Sequence, residues 1–346
     1  MPFPFELPLE PMEARSVKSL PDDTGGWLYE PKWDGFRCIC LRDGDDVYLQ
    51  SKAGQPLARY FPEIVAAARA LAPERFVIDG ELVVPVDDAL DFDQLLERIH
   101  PAASRVNKLA REYPATYLVF DLLALDGTLL AHDNLSVRRP ALEEFAVAFA
   151  DPTIRLSTAT QNRMQVEAWY ARVGGALDGV IAKRLDQPYL FGSRDAMHKV
   201  KRLRTADCVV GGFRTSADGG AIGSLLLGLY DDDGALTYVG FTSGFSAAEK
   251  ASMLTSFLAI KTDVSFTRNP PGGPSRWNRG KDTTWTPVSP DVVLEVEFDH
   301  VSGGRFRHGT RPLRFRPDKD PTQCTFEQLH QPKGTSPFTL AAANEE

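Results

Sequence analysis

The sequence lacks several features that would assign it to a specialised class. It has no apolar run close to the ~20 residues that a membrane-spanning helix needs. Its first residues, Met1 to Glu10, show no basic segment followed by an apolar core, the pattern of a secretory signal. No internal repeat and no low-complexity tract is present. We therefore expect a globular cytoplasmic protein that does not associate with membranes.

Cysteine is also scarce, with Cys38, Cys40, Cys208 and Cys324 as its only occurrences. Cys38 and Cys40 are two residues apart, so on a strand they point to the same face. The spacings fit neither a disulfide framework nor a zinc site. The sequence therefore predicts four reduced thiols and no structural zinc.

The net charge of -8 excludes a protein that coats DNA by charge alone. Positive charge is nevertheless concentrated in two runs, 194–204 and 305–319. The basic residues of these runs are Arg194, Lys199, Lys201, Arg202, Arg204, Arg305, Arg307, Arg311, Arg314, Arg316 and Lys319. Such segregation is typical of a protein that meets a phosphate-rich partner with one face.

A chain of 346 residues is long enough for two domains. We expect domains at 1–203 and 204–330, followed by a disordered tail at 331–346. The first domain alternates predicted strands and helices. Predicted strands are Trp27–Glu30, Phe36–Leu41, Asp46–Gln50, Phe76–Val84, Tyr117–Leu123 and Gly179–Ala182, with a tight turn at Asp43-Gly44 and helices near Phe61–Leu71 and Gln161–Val173.

After Arg204 the pattern changes to short strands. These are Cys208–Phe213, Ser224–Tyr230, Leu236–Phe241 and Val292–Phe298, with one helix predicted at Ser246–Leu258 and a long loop at Asn269–Lys281. About five short strands with one intervening helix fit a small barrel of the oligonucleotide-binding (OB) type. Composition alone leaves any other small β domain as an alternative.

The most informative motif is Lys32-Trp33-Asp34-Gly35, a Lys-x-Asp-Gly pattern. Alone it equally fits a surface lysine followed by a turn. It is accompanied, in order, by further charged or aromatic pieces: Asp79-Gly80-Glu81, Phe120-Asp121, Asp178 to Lys183, Lys199-Val200-Lys201 and Arg316 to Lys319. The ordered set is much rarer than any of its members.

This set resembles the covalent nucleotidyltransferase superfamily of ATP-dependent DNA ligases, RNA ligases and mRNA-capping enzymes. It is most similar to actinobacterial ligase C and to the ligase domain of ligase D, and the run Phe92 to Arg105 adds to the likeness. The resemblance extends from about Trp27 to Pro321. It implies an α+β nucleotidyltransferase (adenylation) domain with antiparallel sheets and flanking helices, followed by an all-β OB-fold barrel.

The resemblance also implies roles for individual residues. Lys32 would be the nucleophile that attacks the α-phosphorus of ATP, and nearby cations would favour its neutral form. The implied nucleotide-binding residues are Glu30, Arg37, Lys52, Glu81, Phe120, Lys183, Lys199 and Lys201. Phe120 would stack on adenine. Glu81 and Asp178 would hold Mg²⁺ or Mn²⁺, and Arg316 and Lys319 would meet the leaving pyrophosphate.

The expected DNA contacts are Arg194, Arg202, Arg204, Arg305 and Arg307. Three positions depart from the usual family pattern. Lys52 stands where relatives usually have Arg, Asp178 where most have Glu, and Met197 where Trp is common.

These roles predict an ATP-dependent DNA ligase that seals nicks or ends through lysyl-AMP and DNA-adenylate, in DNA repair. We expect a monomer that binds nicked duplex DNA, with help from repair proteins such as a primase-polymerase or Ku. An RNA ligase or a guanylyltransferase is the alternative within the superfamily, and labelling with ATP or GTP distinguishes them. A non-catalytic nucleic-acid-binding OB protein is the alternative from another class, and it would not depend on Lys32.

Overall fold

The computed structural model describes residues 5–22, 25–87, 89–171, 177–201, 203–272 and 284–330. The chain divides into two compact units, one reaching Arg202 and the other spanning Leu203–His330. Among the described residues, no helix is both long and apolar enough to cross a membrane.

The first unit is built on two sheets. Its strands are β1 (Arg15–Val17), β2 (Trp27–Lys32), β3 (Phe36–Asp43), β4 (Asp46–Ser51), β5 (Arg75–Val83), β6 (Pro85–Val86), β7 (Ala89–Leu90), β8 (Thr116–Leu125), β9 (Thr128–Leu129), β10 (Ile154–Leu156), β11 (Gly179–Arg184) and β12 (Met197–Val200). Its helices are α1 (Pro62–Ala70), α2 (Phe92–Glu97), α3 (Ala103–Glu112), α4 (Leu135–Ala146) and α5 (Arg163–Ala171).

One sheet has the order β1-β12-β11-β2, and the other has the order β10-β8-β5-β3-β4 with β9 beside β8. The pairings β1–β12 and β10–β8 are parallel, and the other pairings in these sheets are antiparallel. β6 and β7 form a separate hairpin.

The predicted elements of this unit are present. The β3–β4 hairpin pairs Asp43 with Asp46, and Gly44 at its turn has a φ of 62°. The thiols of Cys38 and Cys40 are buried in the same core, as their spacing predicts. Helices α2, α3 and α4 were not predicted. In α4 the apolar period is obscured by Pro140 and by an Arg138 side chain that is itself buried.

The second unit is a small β domain. Its elements are β13 (Arg204–Thr215), β14 (Ile222–Tyr230), β15 (Leu236–Thr242), α6 (Ala247–Ala259), β16 (Thr286–Pro287), β17 (Val293–Phe298), β18 (Val301–Ser302), β19 (Arg305–Phe306) and β20 (Arg311–Phe315), followed by 3-10 turns at Pro321–Gln323 and Phe326–Leu329. The main sheet has the order β15-β14-β13-β17-β20, with β16 beside β13, and β18 pairs with β19.

The strands and the helix predicted here are confirmed, and β13 packs Cys208 into the core of the unit. Helix α6 begins where the sequence indicates because Ser246 and Glu249 form a capping box. Part of the predicted loop 269–281 and the whole of the predicted tail 331–346 lie outside the described residues.

Candidate active site

The candidate nucleophile lies on one face of the four-stranded sheet. Glu30 pairs with Ile181 across β2 and β11, and Ile181 pairs in turn with Lys199 on β12. Side chains alternate between the two faces of a strand, so Lys32 lies on the same face as Glu30. The last residue of β2 is Lys32, which is paired with Gly179. The register of β2, β11 and β12 therefore brings the motifs that contain Lys32, Gly179 and Lys199 to adjacent positions in the sheet.

The six-stranded sheet supplies the other wall, where Arg37 on β3 pairs with Glu81 on β5. Along β5 and β8 the partner of Asp79 is Asp121, whereas the partner of Gly80 is Val119. The intervening Phe120 is thus the extra residue of a β-bulge, a device that redirects a side chain. Together the sheets surround a cavity of about 150 Å³. It is lined by Pro11, Met12, Glu13, Ala14, Glu30, Pro31, Lys32, Trp33, Arg37, Lys52, Glu81, Phe120, Ile181, Lys183, Met197 and Lys199.

At two glycines of the motifs, the backbone of another strand comes so close that no side chain fits. A Cβ at Gly35 would lie 2.1 Å from the Leu82 carbonyl oxygen. A Cβ at Gly179 would lie 2.2 Å from the Val200 carbonyl oxygen, and the φ of Gly179 is +148°. No L side chain fits either place without a shift of the backbone. Gly35 thus lets the turn after β2 approach β5, and Gly179 lets the start of β11 approach β12.

Lys32 shares one carboxylate with a second lysine. Its Nζ lies 2.6 Å from Asp178 Oδ2, and Lys201 Nζ lies 3.2 Å from the same oxygen. The backbone N–H of Asp178 also donates to the Lys32 carbonyl at 3.0 Å. Burial, followed by the positive charges of Lys32 and Lys201, lowers the pKa of Lys199. Lys32 and Lys201 thus share the Asp178 carboxylate, and Lys199 lies close enough to both lysines for their charges to act on it.

Lys183 belongs to a different, buried group. Its Nζ lies 3.0 Å from Glu30 Oε1 and donates to the Phe120 carbonyl at 3.2 Å. Burial raises the pKa of Glu30, although Lys183 and Arg139 act against this rise. Lys183 also lies over the Phe120 ring, 4.4 Å from its centroid. The group fixes one wall of the cavity.

Phe120 is 8% exposed and contacts a second cation. The Arg37 guanidinium lies 4.6 Å from the Phe120 ring centroid. Arg37 is itself held by Asp79 through two donated hydrogen bonds, and Tyr189 donates its hydroxyl to the same carboxylate. Asp79 is fully buried. The ring and the guanidinium are thus positioned by charges beneath the cavity.

Glu81 has the ionisation behaviour most relevant to pH. Burial raises its pKa from 4.5 to about 7, although Lys32 and Arg37 act in the opposite direction. Between these two pKa values the folded protein therefore binds more proton at Glu81 than the unfolded chain does. By linkage, this group makes the free energy of unfolding fall as pH rises through the window from 4.5 to about 7.

We expect Glu81→Gln to gain stability relative to the wild-type chain as pH rises. The relative gain between about pH 5 and about pH 8 should be roughly 1–2 kcal/mol. Thermal unfolding of both proteins across this range measures the difference. A difference that stays constant with pH would contradict the raised pKa.

Divalent metal binding can be tested against the carboxylates present. Among the described residues, no cluster of three or more His, Cys, Asp or Glu side chains could hold a metal ion alone. Mg²⁺ usually takes only one or two protein carboxylates and completes its shell with water and phosphate oxygens. Glu81 lines the cavity and Asp178 contacts Lys32 beside it, so two carboxylates are available to a metal ion that arrives with a nucleotide.

The terminal basic motif has its own partners in the second unit. Lys319 Nζ lies 2.7 Å from Asp207 Oδ2, and Arg316 Nη1 lies 3.2 Å from Asp207 Oδ1. Arg316 also pairs with Asp318 at 2.9 Å. Asp207, on β13, therefore gathers both cations predicted to act on pyrophosphate.

The predicted DNA-contacting arginines occupy different environments. Arg194 pairs with Glu13, whereas Arg305 is exposed and lies over the Tyr238 ring. Arg204 donates to the carbonyls of Gln328 and His330, and burial lowers its pKa. These contacts indicate that Arg204 also fastens the end of the second unit. Arg307 is half-buried, and Arg202 lies outside the described residues.

The sequence reasoning missed the contribution of the segment Pro11–Ala14 to the cavity. Its Glu13 carboxylate contacts Lys52, and hydrogen bonds from Lys52 and Arg194 lower the pKa of Glu13. The segment carries no periodic pattern, so nothing in the sequence marks it. The importance of Asp207 was missed for the same reason.

Comparison with known proteins finds ATP-dependent DNA ligase sequence in both units. Residues 11–201 match the family model for the ATP dependent DNA ligase domain, and 218–319 match that for the ATP dependent DNA ligase C terminal region. DNA ligase C2 of Mycolicibacterium smegmatis is 46% identical over 98% of this chain and 99% of its own length. DNA ligase C of Mycobacterium tuberculosis is 45% identical over 96% of both chains.

A more distant relative is the multifunctional non-homologous end joining DNA repair protein LigD of M. tuberculosis. It is 32% identical over 87% of this chain, which spans 37% of that protein. A solved structure of mycobacterial DNA ligase D complexed with ATP and MES covers 93% of this chain and 99% of its own, with a TM-score of 0.52 and 31% identity.

Proposed function

This chain belongs to the ATP-dependent DNA ligases, and from that premise we propose that Lys32 is the nucleophile through which it seals DNA. The family and the α+β-plus-OB architecture predicted from the sequence are confirmed. The observation that supports Lys32 is its place in the cavity, paired with Asp178 beside Lys199 and Lys201. We assign the nucleotidyltransferase domain to 1–203 and the OB domain to 204–330.

In the first step, Lys32 leaves its ion pair with Asp178 and releases a proton to solvent, and its amine then attacks the α-phosphorus of ATP and releases a second proton. A P–N bond forms, the bond to the β-phosphate oxygen breaks, and pyrophosphate leaves. Lys199 and Lys201 stabilise the charge on the phosphates, which is the main requirement of phosphoryl transfer. A 5′-phosphate oxygen then displaces Lys32 from AMP, and a 3′-hydroxyl finally displaces AMP to close the strand.

Mg²⁺ is the metal that we propose for these steps, with Mn²⁺ as a substitute. Glu81 and Asp178 would hold it together with phosphate oxygens. When bound, the ion neutralises phosphate charge. For Asp178 this role implies release of Lys32 and Lys201 from their ion pairs.

Adenine recognition is assigned to Phe120. We expect Phe120→Ala to raise the apparent KM for ATP in self-adenylation by about 5- to 150-fold, because stacking on an aromatic ring contributes ~1–3 kcal/mol. Phe149→Ala is the control, since Phe149 packs on the core of the same unit and does not line the cavity. An unchanged KM in the Phe120 variant would make Phe120 a purely structural residue.

For DNA contact we propose Arg194, Arg202, Arg305 and Arg307, with Arg204 dividing its role between DNA and the fold. We further propose a cytoplasmic monomer. The four cysteines, all within the described residues, are buried and free, as a reducing compartment would keep them. The likeness to LigD supports an association with end-joining proteins, such as a primase-polymerase or Ku.

The identity of the nucleotide that labels the protein covalently tests this function. We expect radiolabelled ATP to label the chain covalently and GTP not to do so. Labelling by GTP would favour the capping-type alternative, and labelling by ATP without sealing of a nicked DNA duplex would favour an RNA ligase.

A further inference from the structure

The segment that precedes β2 is fastened along the rim of the cavity. The N–H of Glu13 donates to the Ser193 carbonyl at 2.8 Å, and the N–H of Met12 donates to the Tyr189 hydroxyl at 3.0 Å. The Met12 carbonyl accepts from Arg37 at 3.2 Å. Farther along, β1 pairs with β12. The backbone at residue 13 is therefore fixed from both sides.

The Glu13 side chain, in contrast, lies between two exposed cations. Glu13 Oε1 lies 2.9 Å from Lys52 Nζ, and Glu13 Oε2 lies 2.6 Å from Arg194 Nη2. The side chains of Lys52 and Arg194 are 59% and 65% exposed. They come from separate segments, one after β4 and one before β12. The carboxylate is what brings these two positive charges together.

A carboxylate and a phosphate can bind to such a pair of cations in the same way. Both are anions with several acceptor oxygens, and arginine binds either through its guanidinium fork while lysine adds a point charge. Glu13 and Lys52 line the cavity together with Lys199. A substrate phosphate at the rim would therefore meet cations that are already occupied by an internal anion.

Lys52 and Arg194 are already proposed to bind nucleotide and DNA. We propose that the Glu13 carboxylate occupies this pair of cations in place of phosphate, until a substrate phosphoryl group displaces it. This inference rests on the proposed function of the cavity. The backbone at Glu13 is held by its hydrogen bonds, so the replacement of the carboxylate by a phosphate needs only a rotation of the Glu13 side chain. Glu13 thus competes with the phosphate, which comes either from the tail of ATP or from the 5′ end of the DNA.

Two arms of one experiment separate these sources in the full chain. The first measures the apparent KM for ATP in self-adenylation. The second measures the affinity of the adenylated chain for a nicked duplex with a 5′-phosphate, beside a duplex with a 5′-hydroxyl. We expect Glu13→Gln to improve one of these by about 3- to 10-fold, the scale of one ion pair near the surface. Binding of the 5′-hydroxyl duplex should not change.

Glu10→Gln is the matched control, because it removes the same charge from the same segment outside the Lys52–Glu13–Arg194 cluster. It should leave both arms unchanged. In a Lys52→Gln background, Glu13→Gln should have at most a small effect, since one of the two cations is already lost.

Weaker phosphate binding by Glu13→Gln, or no change in either arm, would overturn the proposal, because Glu13 would then position the cations or play no part. Equal gains by Glu10→Gln would reduce the effect to net charge. Failure of the proposed function looks different, since the wild-type chain would then acquire no label on Lys32.

Discussion

Lys32→Ala is expected to lower self-adenylation by roughly 10³-fold or more, since removal of a nucleophile leaves no comparable route for the step. Lys32 is the cavity lysine paired with Asp178 at the end of β2, whereas Lys183 is committed to Glu30 and Phe120. Covalent labelling with ATP measures the loss. The fold should persist, because Lys201 still pairs with Asp178 in the variant.

Two further variants make this result specific. Lys32→Arg keeps a positive charge for Asp178, but its guanidinium stays protonated and is no nucleophile. It should therefore fail as completely as Lys32→Ala. Lys108→Ala removes an exposed lysine of α3 and should label normally. Persistent labelling of Lys32→Ala would move the nucleophile to Lys183 or Lys199.

Arg316→Ala and Lys319→Ala are expected to reduce adenylation of Lys32 by about 10²-fold or more, the usual effect of removing one group that stabilises developing charge. Sealing of a nick that already carries AMP should change by less than about threefold, because pyrophosphate takes no part in it. We propose that the second unit delivers these cations to pyrophosphate and then withdraws, a common means of completing a site transiently. We propose residues 201–205 as the hinge.

Ligation of a pre-adenylated nick without ATP, measured beside self-labelling with ATP, separates the two steps. Lys199→Ala should impair both, since Lys199 lines the cavity and is proposed to contact the phosphate that is transferred. Arg268→Ala is the control, because Arg268 pairs with Asp231 and Asp233 at the surface of the same unit. Equal losses in both assays for Arg316→Ala would contradict domain closure and would place Arg316 at the DNA or in the fold.

The sequence predicted those parts of the site that depend on local pattern. The apolar strands and the β3–β4 turn follow from alternation and turn chemistry. Gly35 and Gly179 mark close backbone contacts that no other residue tolerates. The family itself was predicted from the resemblance that the ordered motifs carry.

Other parts depend on contacts between distant residues. The bulge that turns Phe120 into the cavity arises from the pairing of β5 with β8. Arg138 reads as a surface residue, yet it is buried against Asp121. Glu13 reaches Arg194 only because its segment runs beside β12. No local pattern encodes such pairings, so only the folded chain shows them.

The central claim is that a nucleotide becomes attached to Lys32, and peptide mass spectrometry after incubation with ATP and Mg²⁺ tests it most directly. We expect the peptide that contains Lys32 to gain the mass of one AMP, and to lose it again when nicked DNA with a 5′-phosphate is added. AMP on another residue, or an unmodified Lys32 in a chain that still seals DNA with ATP, would contradict the account.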